Sequence, residues 1–326
     1  ITFIVILISL AFNLANNKEN KNFMFVSGDK NSPNSLAIIE LNGMIIEKNI
    51  EFPNLANNFI ISPKQVKGYL DELVGIAPKI IIFSINSPGG TVSASKNLYD
   101  IIAKYKKNND VEILVHTNEL LASGGYWVST SADQIYASYG SIVGSIGVKG
   151  PDWFYYDQPK SISTGIFGNR IETINGIKVF SNKAGKSKDI FNPFREPTKQ
   201  EIKHLQNMVD EIYNDFVQLV SKNRKIEINT IINDIGGQIF TSKQALKSHL
   251  IDGEISLDEL VKRTIKNNNF ENYKIIKKNN QEIFLIKEIF SSNVRNVREF
   301  ETNFKTQCLS IRTSITAILN YQSTGC

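Results

Sequence analysis

Apolar and polar positions along this chain fall into blocks that predict strand and helix in turn. Leu36-Ala-Ile-Ile-Glu-Leu41 has the aliphatic and β-branched content of a strand, and apolar residues then recur at helical spacing from Pro63 to about Val74. Lys79-Ile-Ile-Ile-Phe-Ser-Ile85 is a continuous apolar run, the pattern of a strand covered on both faces. Pro88-Gly89-Gly90 ends it, and Ser93 to Lys107 is amphipathic at helical period. Val111-Glu-Ile-Leu-Val-His116 predicts the next strand, residues from about Ser123 to Ala132 a helix, and Gln134-Ile-Tyr-Ala137 a short strand. Such alternation predicts an α/β class with a largely parallel sheet flanked by helices.

Further along, Ile202, Leu205, Met208, Val209, Ile212, Phe216, Val217 and Val220 form one stripe of a long helix over Thr198 to Asn223. Shorter helices are expected around Lys243 to Ser248 and from Leu257 to Ile265, followed by an Asn/Lys-rich linker from Lys266 to Gln281. The first residues are apolar almost without interruption to about Phe12. That run is shorter than the ~20 residues of a spanning helix, but the chain begins with Ile, so a longer segment is expected. An uncleaved signal-anchor and a cleavable signal peptide both fit, and either sends the remainder across a membrane. The expected organisation is a membrane segment over 1–15, a polar spacer over 16–34, the main folded domain over 35–265, and a basic Asn/Lys-rich linker and extension over 266–326.

Charge alters this picture only at the end of the chain. The net charge of +5 arises after Val261, leaving the rest near neutral, which argues against a nucleic-acid binder. The two cysteines, Cys308 and Cys326, are too few for a disulfide framework and have no metal-ligand company.

Three glycine-bearing constellations stand at the ends of predicted strands: Ser87-Pro-Gly-Gly90, Ala122-Ser-Gly-Gly-Tyr-Trp127, and Gly140-Ser-Ile-Val-Gly-Ser-Ile-Gly147. In open α/β sheets, sites form outside the carboxyl ends of strands. A serine opening a helix there presents its hydroxyl in the field of the helix N-terminus, and neighbouring glycines leave backbone N–H groups accessible. Acyl transfer needs such a nucleophile and convergent donors for the oxyanion, here Gly124 N–H with that of Gly89 or Gly90. Each Gly-Gly turn alone is more often a plain corner; the recurrence points to a site. His116 falls within a predicted strand, and His204 and His249 fall on helices, so no histidine is an evident partner for Ser123. A lysine is the remaining base, and its pKa of ~10.4 must fall by about 3 units to act near neutral pH. Lys188, Lys183, Lys186 and Lys149 are candidates, Lys188 being followed by apolar residues that would desolvate it.

Ile85-Asn-Ser-Pro-Gly-Gly90, Ala122-Ser-Gly-Gly-Tyr126 and Gly144-Ser-Ile-Gly-Val148 together resemble the signal peptide peptidase A family of serine peptidases. The likeness continues through a Gly-x-x-Lys-Asp segment reaching Lys188, through Gly236-Gly-Gln-Ile-Phe-Thr241, Gln244-Ala-Leu246 and Leu250-Ile-Asp252, and covers about residues 35–265. The resemblance implies a Clp-protease/crotonase-like fold and a Ser/Lys dyad. Ser123 would be the nucleophile, Lys188 the general base, Ser145 the hydroxyl supporting the lysine, and Gly89 with Gly124 the oxyanion hole. It implies no metal or organic cofactor. It also implies a homo-oligomeric ring on a bacterial cytoplasmic membrane, a single-pass anchor in contact with lipid, and an extracytoplasmic catalytic domain acting on signal peptides or other hydrophobic peptides. The connection from Gly150 to Asn182 is longer than the family's usual one, which bears on whether Lys188 or Lys186 is the base.

Two other classes compete with the peptidase. A catalytically silent peptide-binding scaffold of the same fold would be free to lose Ser123 or Lys188, and both are present. A crotonase-type acyl-CoA enzyme would want acidic residues within the glycine loops, and none occurs there.

Overall fold

A computed structural model of the protein describes residues 23–47, 59–156, 163–165, 168–170 and 182–278. The chain divides into two compact units, one formed by Ile1–Gly147 with Phe216–Arg295, the other by Val148–Asp215 with Asn296–Cys326.

The first unit is built on a seven-stranded sheet. In chain order it opens with β1 (Phe23–Gly28) and β2 (Ser35–Asn42); the short strands β3 (Met44–Ile45) and β4 (Ile60–Ile61) pair with each other separately. Helix α1 (Pro63–Ile76), β5 (Ile80–Asn86), α2 (Val92–Asn108) and β6 (Glu112–Thr117) follow. Then come β7 (Leu120–Ala122), α3 (Gly124–Ser129), β8 (Gln134–Ala137) and β9 (Ile142–Gly144). After the second unit, with β10 (Ser163–Gly165), β11 (Gly168–Arg170) and the start of α4 (Lys199–Arg224), the chain adds β12 (Ile239–Thr241), α5 (Ser242–Lys247), β13 (Gly253–Glu254), α6 (Leu257–Asn267) and β14 (Lys274–Lys278).

The main sheet runs β1-β14-β2-β5-β6-β8-β13, and every pair in it is parallel except β1 with β14. The apolar run of β5 occupies the centre with its first six residues buried, as expected for a strand covered on both faces. On one face Leu36, Ile38, Ile80, Ile82 and Leu114 pack with Leu260 of α6. Helix α1 starts with Pro63 in its first turn and buries Val66, Tyr69, Leu70 and Leu73; α2, capped by the Thr91 hydroxyl, buries Ala94, Ser95, Leu98, Ile102 and Tyr105. A second, three-stranded sheet of order β12-β9-β7 carries the ends of the glycine motifs.

The α/β class and largely parallel sheet agree with the sequence. Two of the seven strands, however, lie outside residues 35–265. Strand β1 falls in the segment read as a spacer, and β14 in the segment read as a linker. Lys274-Ile-Ile-Lys-Lys278 has only two buried positions and polar neighbours, too weak a pattern to stand out; its pairing with β2 defines it. The stripe on α4 also divides: Phe216, Val217 and Val220 are buried, whereas Ile202 and Met208 are exposed. The apolar segment 1–15, most of 150–182, and both cysteines lie wholly or largely outside the described residues. Among the described residues no helix is long and apolar enough to cross a membrane.

Candidate active site

Ser123 stands between β7 and α3 in a conformation that serine seldom adopts, with φ 51° and ψ −122°. A side chain in such a region costs about 1–3 kcal/mol and persists only where surrounding contacts impose it. Those contacts are on both sides of the residue. Ser123 N–H donates to Gly144 O at 2.9 Å, while Ser123 O accepts the Trp127 N–H at 2.9 Å as the first turn of α3. The helix behind it is buried throughout. Tyr126 donates its hydroxyl to Leu250 O at 2.8 Å, and Trp127 stacks on Phe216 at 4.6 Å between ring centroids. Burial raises the Tyr126 phenol far above its ordinary pKa, so it remains a neutral donor.

The Ser87–Gly90 loop closes over this turn. Ala122 N–H donates to Ser87 O, and Ser87 N–H to Leu120 O, extending β5 onto β7. On its other edge the loop is joined to β3, Ile45 N–H donating to Gly89 O and Thr91 N–H to Ile45 O, each at 2.9 Å. Asn86 orders the approach: its Oδ1 accepts from the Thr117 hydroxyl and from the N–H groups of Asn118 and Glu119, at 3.0–3.1 Å.

Close packing explains why glycine is needed at 89. A Cβ there would lie 3.0 Å from Ser123 Oγ and 2.8 Å from Gly124 N, and its φ is +106°. A Cβ on Gly124 would stand 2.2 Å from Ser95 Oγ and 3.2 Å from Gly90 N. Gly89, Gly90, Ser123 and Gly124 therefore meet at one point. The Gly89 N–H is already bonded, to Ser87 Oγ at 3.1 Å. Among the described residues Gly90 N–H and Gly124 N–H donate to no acceptor, leaving these two as donors for an incoming carbonyl oxygen.

Ser145 follows directly on Gly144 with φ 53°, its N–H held by Gln238 O at 2.6 Å. That contact explains the Gly236–Thr241 motif: β12 pairs with β9 and sets the backbone on which Ser145 sits. The Leu250–Asp252 motif is likewise a support. Leu250 O receives Tyr126, and Asp252 accepts the Ile135 N–H and a bidentate pair from Arg224.

Lys188 belongs to the second unit, exposed in a turn whose next residue, Asp189, is held by Lys183 and Arg195. Of the other candidate lysines, Lys149 pairs with Asp152 at 3.0 Å. His116 is buried in β6, where its Nε2 meets Ile255 O at 2.9 Å and Ser138 Oγ at 3.4 Å, and burial lowers its pKa. Its hydrogen bonds do not lead to Ser123. His204 is exposed on α4, and Arg224 donates to the carbonyl of His249. Among the described residues no group of three or more His, Cys, Asp or Glu is placed to hold a metal ion. Ser87, quoted in the motif but given no role, holds the Gly89 N–H; Ser95, an ordinary helix residue in the sequence, lies behind Gly124 with no signal to reveal it.

Residues 105–271, half of the chain, match Peptidase family S49. The chain belongs to that family. Curated relatives include "Putative protease MJ0651" of Methanocaldococcus jannaschii, 37% identical over 198 residues that make up 61% of this chain and 59% of the relative. "Putative signal peptide peptidase SppA" of Enterococcus faecium is 31% identical over 191 residues, 57% of this chain and 51% of the relative. "Protease 4" of Haemophilus influenzae is 27% identical over 233 residues, 72% of this chain and 35% of the relative. The chain thus spans roughly half the length of the first two relatives. Membership of the signal peptide peptidase A family, expected from the motifs, is supported by these names and by the S49 match.

Proposed function

We propose that this protein is a serine endopeptidase in which Ser123 attacks the scissile carbonyl and Lys188 is the general base. The observation that carries the proposal is the strained Ser123 at the start of a buried helix, with the Gly89 backbone packed against its hydroxyl and two N–H donors left open beside it. Membership of a peptidase family supports the same reading.

In this mechanism Ser123 Oγ forms a bond to the carbonyl carbon as its proton passes to Lys188 Nζ. Negative charge gathers on the carbonyl oxygen, where the Gly124 and Gly90 N–H groups receive it; we assign Gly90 in place of Gly89 because the Gly89 N–H is engaged with Ser87. Collapse breaks the C–N bond, and the leaving amine takes the proton from Lys188. Water then repeats the sequence on the acyl-enzyme. Ser145, fixed by Gln238, is the hydroxyl we assign to accompany the lysine.

The substrates we propose are signal peptides or other hydrophobic peptides bound in extended form, with the apolar segment 1–15 anchoring the chain to a bacterial membrane and a ring of copies forming the assembly. The test is labelling with a serine-reactive fluorophosphonate alongside hydrolysis of a fluorogenic peptide. Ser123→Ala should lose both while remaining folded. Lys188→Ala should lose hydrolysis, and full hydrolysis in that variant would refute the dyad.

A further inference from the structure

The turn that carries Lys188 is poorly held by its own backbone. Ser187 and Phe191, non-glycine residues on either side of it, have φ of 57° and 68°. Its hydrogen bonds are few: Lys188 N–H reaches Gly185 O only at 3.4 Å, while Ile190 N–H to Ser187 O and Asn192 N–H to Asp189 O are 3.0 Å each. Something outside the turn must impose this shape. The candidate is Arg195. Its Nε donates to Asp189 Oδ2 at 3.0 Å, and its Nη2 donates to Asp189 Oδ1 at 3.1 Å and to the Asp189 carbonyl at 3.3 Å. Both the side chain and the backbone of the residue after Lys188 are thereby gripped by one planar cation.

The other side of the same guanidinium is anchored. Nη1 and Nη2 donate to the two carboxylate oxygens of Glu201 at 3.0 and 2.8 Å. Glu201 is a buried residue in the first turn of α4, where it accepts from Thr198 N–H at 2.9 Å while its own N–H donates to the Thr198 hydroxyl at 3.2 Å. That reciprocal pair is a capping box, so the anchor is the start of a long helix. Trp153 completes the support. Its ring lies 5.1 Å from the Arg195 guanidinium and 5.4 Å from the Phe191 ring, and its Nε1 donates to Asn192 O at 3.2 Å.

We infer that Arg195 is a positioning residue for Lys188, tying the 185–191 turn through Asp189 to Glu201 and the start of α4. The inference rests on the reading of Lys188 as the base. Arg195 does a second service by keeping the Asp189 carboxylate occupied, together with Lys183. A freed carboxylate next to Lys188 is available to pair with its amine and draw it away from the nucleophile. The placement of Lys188 therefore depends on a side chain that need not touch the substrate.

The test uses the full chain with a fluorogenic peptide, reading kcat and KM separately over pH 5–10, with thermal unfolding as a check on the fold. Arg195→Ala should lower kcat by about 10- to 100-fold, the scale of a misplaced catalytic group, with KM within about threefold of the parent. The acid-side inflection of its kcat–pH profile should move upward, which a merely structural loss does not produce. Arg195→Lys, which keeps the charge but not the fork, should recover part of the rate. Should Arg195→Ala not accumulate as folded protein, Asp189→Asn, which keeps the side-chain shape but removes the charge that Arg195 grips, is read for the fall in kcat alone, with no upward move of the inflection expected because no carboxylate is freed. Unchanged kcat and an unmoved inflection in the folded variants overturn the inference if Lys188→Ala is inactive in the same assay. Full activity of Lys188→Ala overturns the dyad itself, and the role of Arg195 as its positioner falls with it.

Discussion

Gly89→Ala isolates the contact on which the site depends. The added methyl would sit 2.8 Å from Gly124 N and from Ser123 Cβ, and 3.0 Å from Ser123 Oγ. The first two belong to the backbone turn or its root, so relief requires the loop and the Ser123 turn to move apart. Two costs arise. The side chain must tolerate φ +106°, at about 1–3 kcal/mol, and the overlap adds about 1–3 kcal/mol of overpacking. Separation of Gly124 N–H from the oxyanion position costs catalysis in addition, and loss of one such donor is worth about 10²–10³ in kcat. Gly140→Ala supplies the control. Gly140 also has a positive φ, +84°, but a Cβ there meets nothing within 4 Å. Both variants should unfold at lower temperature than the parent, Gly89→Ala by more. At a temperature where both are folded, kcat/KM for a fluorogenic peptide should fall about 100-fold or more in Gly89→Ala and stay within about threefold of the parent in Gly140→Ala. Equal kcat/KM in the two alanine variants would refute the argument that the Gly89 backbone forms part of the site.

Other consequences bear on stability. Burial lowers the pKa of His116, so the native state binds its proton less readily than the unfolded chain does; stability should therefore decline as pH falls below the unfolded value of about 6.5, and His116→Asn should reduce that decline in pH-dependent denaturant melts. The Arg195 hydrogen bonds lower Glu201 to about 2 and hold Asp189 well below the usual carboxylate range, so the stabilisation they give is present above pH about 4.5 and lost as pH falls toward 2; Arg195→Ala should flatten the acid limb of the same melts. Asn86→Ala removes the acceptor of the exposed Asn118 and Glu119 N–H groups, which water can replace, and should cost about 0.5–1.5 kcal/mol by chemical denaturation. Among the described residues Ser95 Oγ is buried without a partner, so Ser95→Ala should be neutral or stabilising by about 1 kcal/mol in the same measurement.

The elements legible in the sequence are those whose pattern is strong within a short window. The β5 run, the amphipathic α2 and the long stripe of α4 announce themselves because burial on one or both faces leaves a local signature. Ser123 and its glycines were legible too, since a tight strand-to-helix corner restricts residue type at adjacent positions. By itself, then, the sequence determined the α/β class, the tight turn that carries Ser123 and the family motifs. Tertiary structure alone decided that β1 and β14 complete the main sheet, because short strands with few buried positions are defined by their partners and not by their own pattern. It decided also that Gly89 packs on the Ser123 hydroxyl while its N–H turns to Ser87, and that Arg195 binds Asp189 and Glu201 together. Those contacts depend on the direction of individual N–H bonds and side chains, which spacing along a chain does not encode.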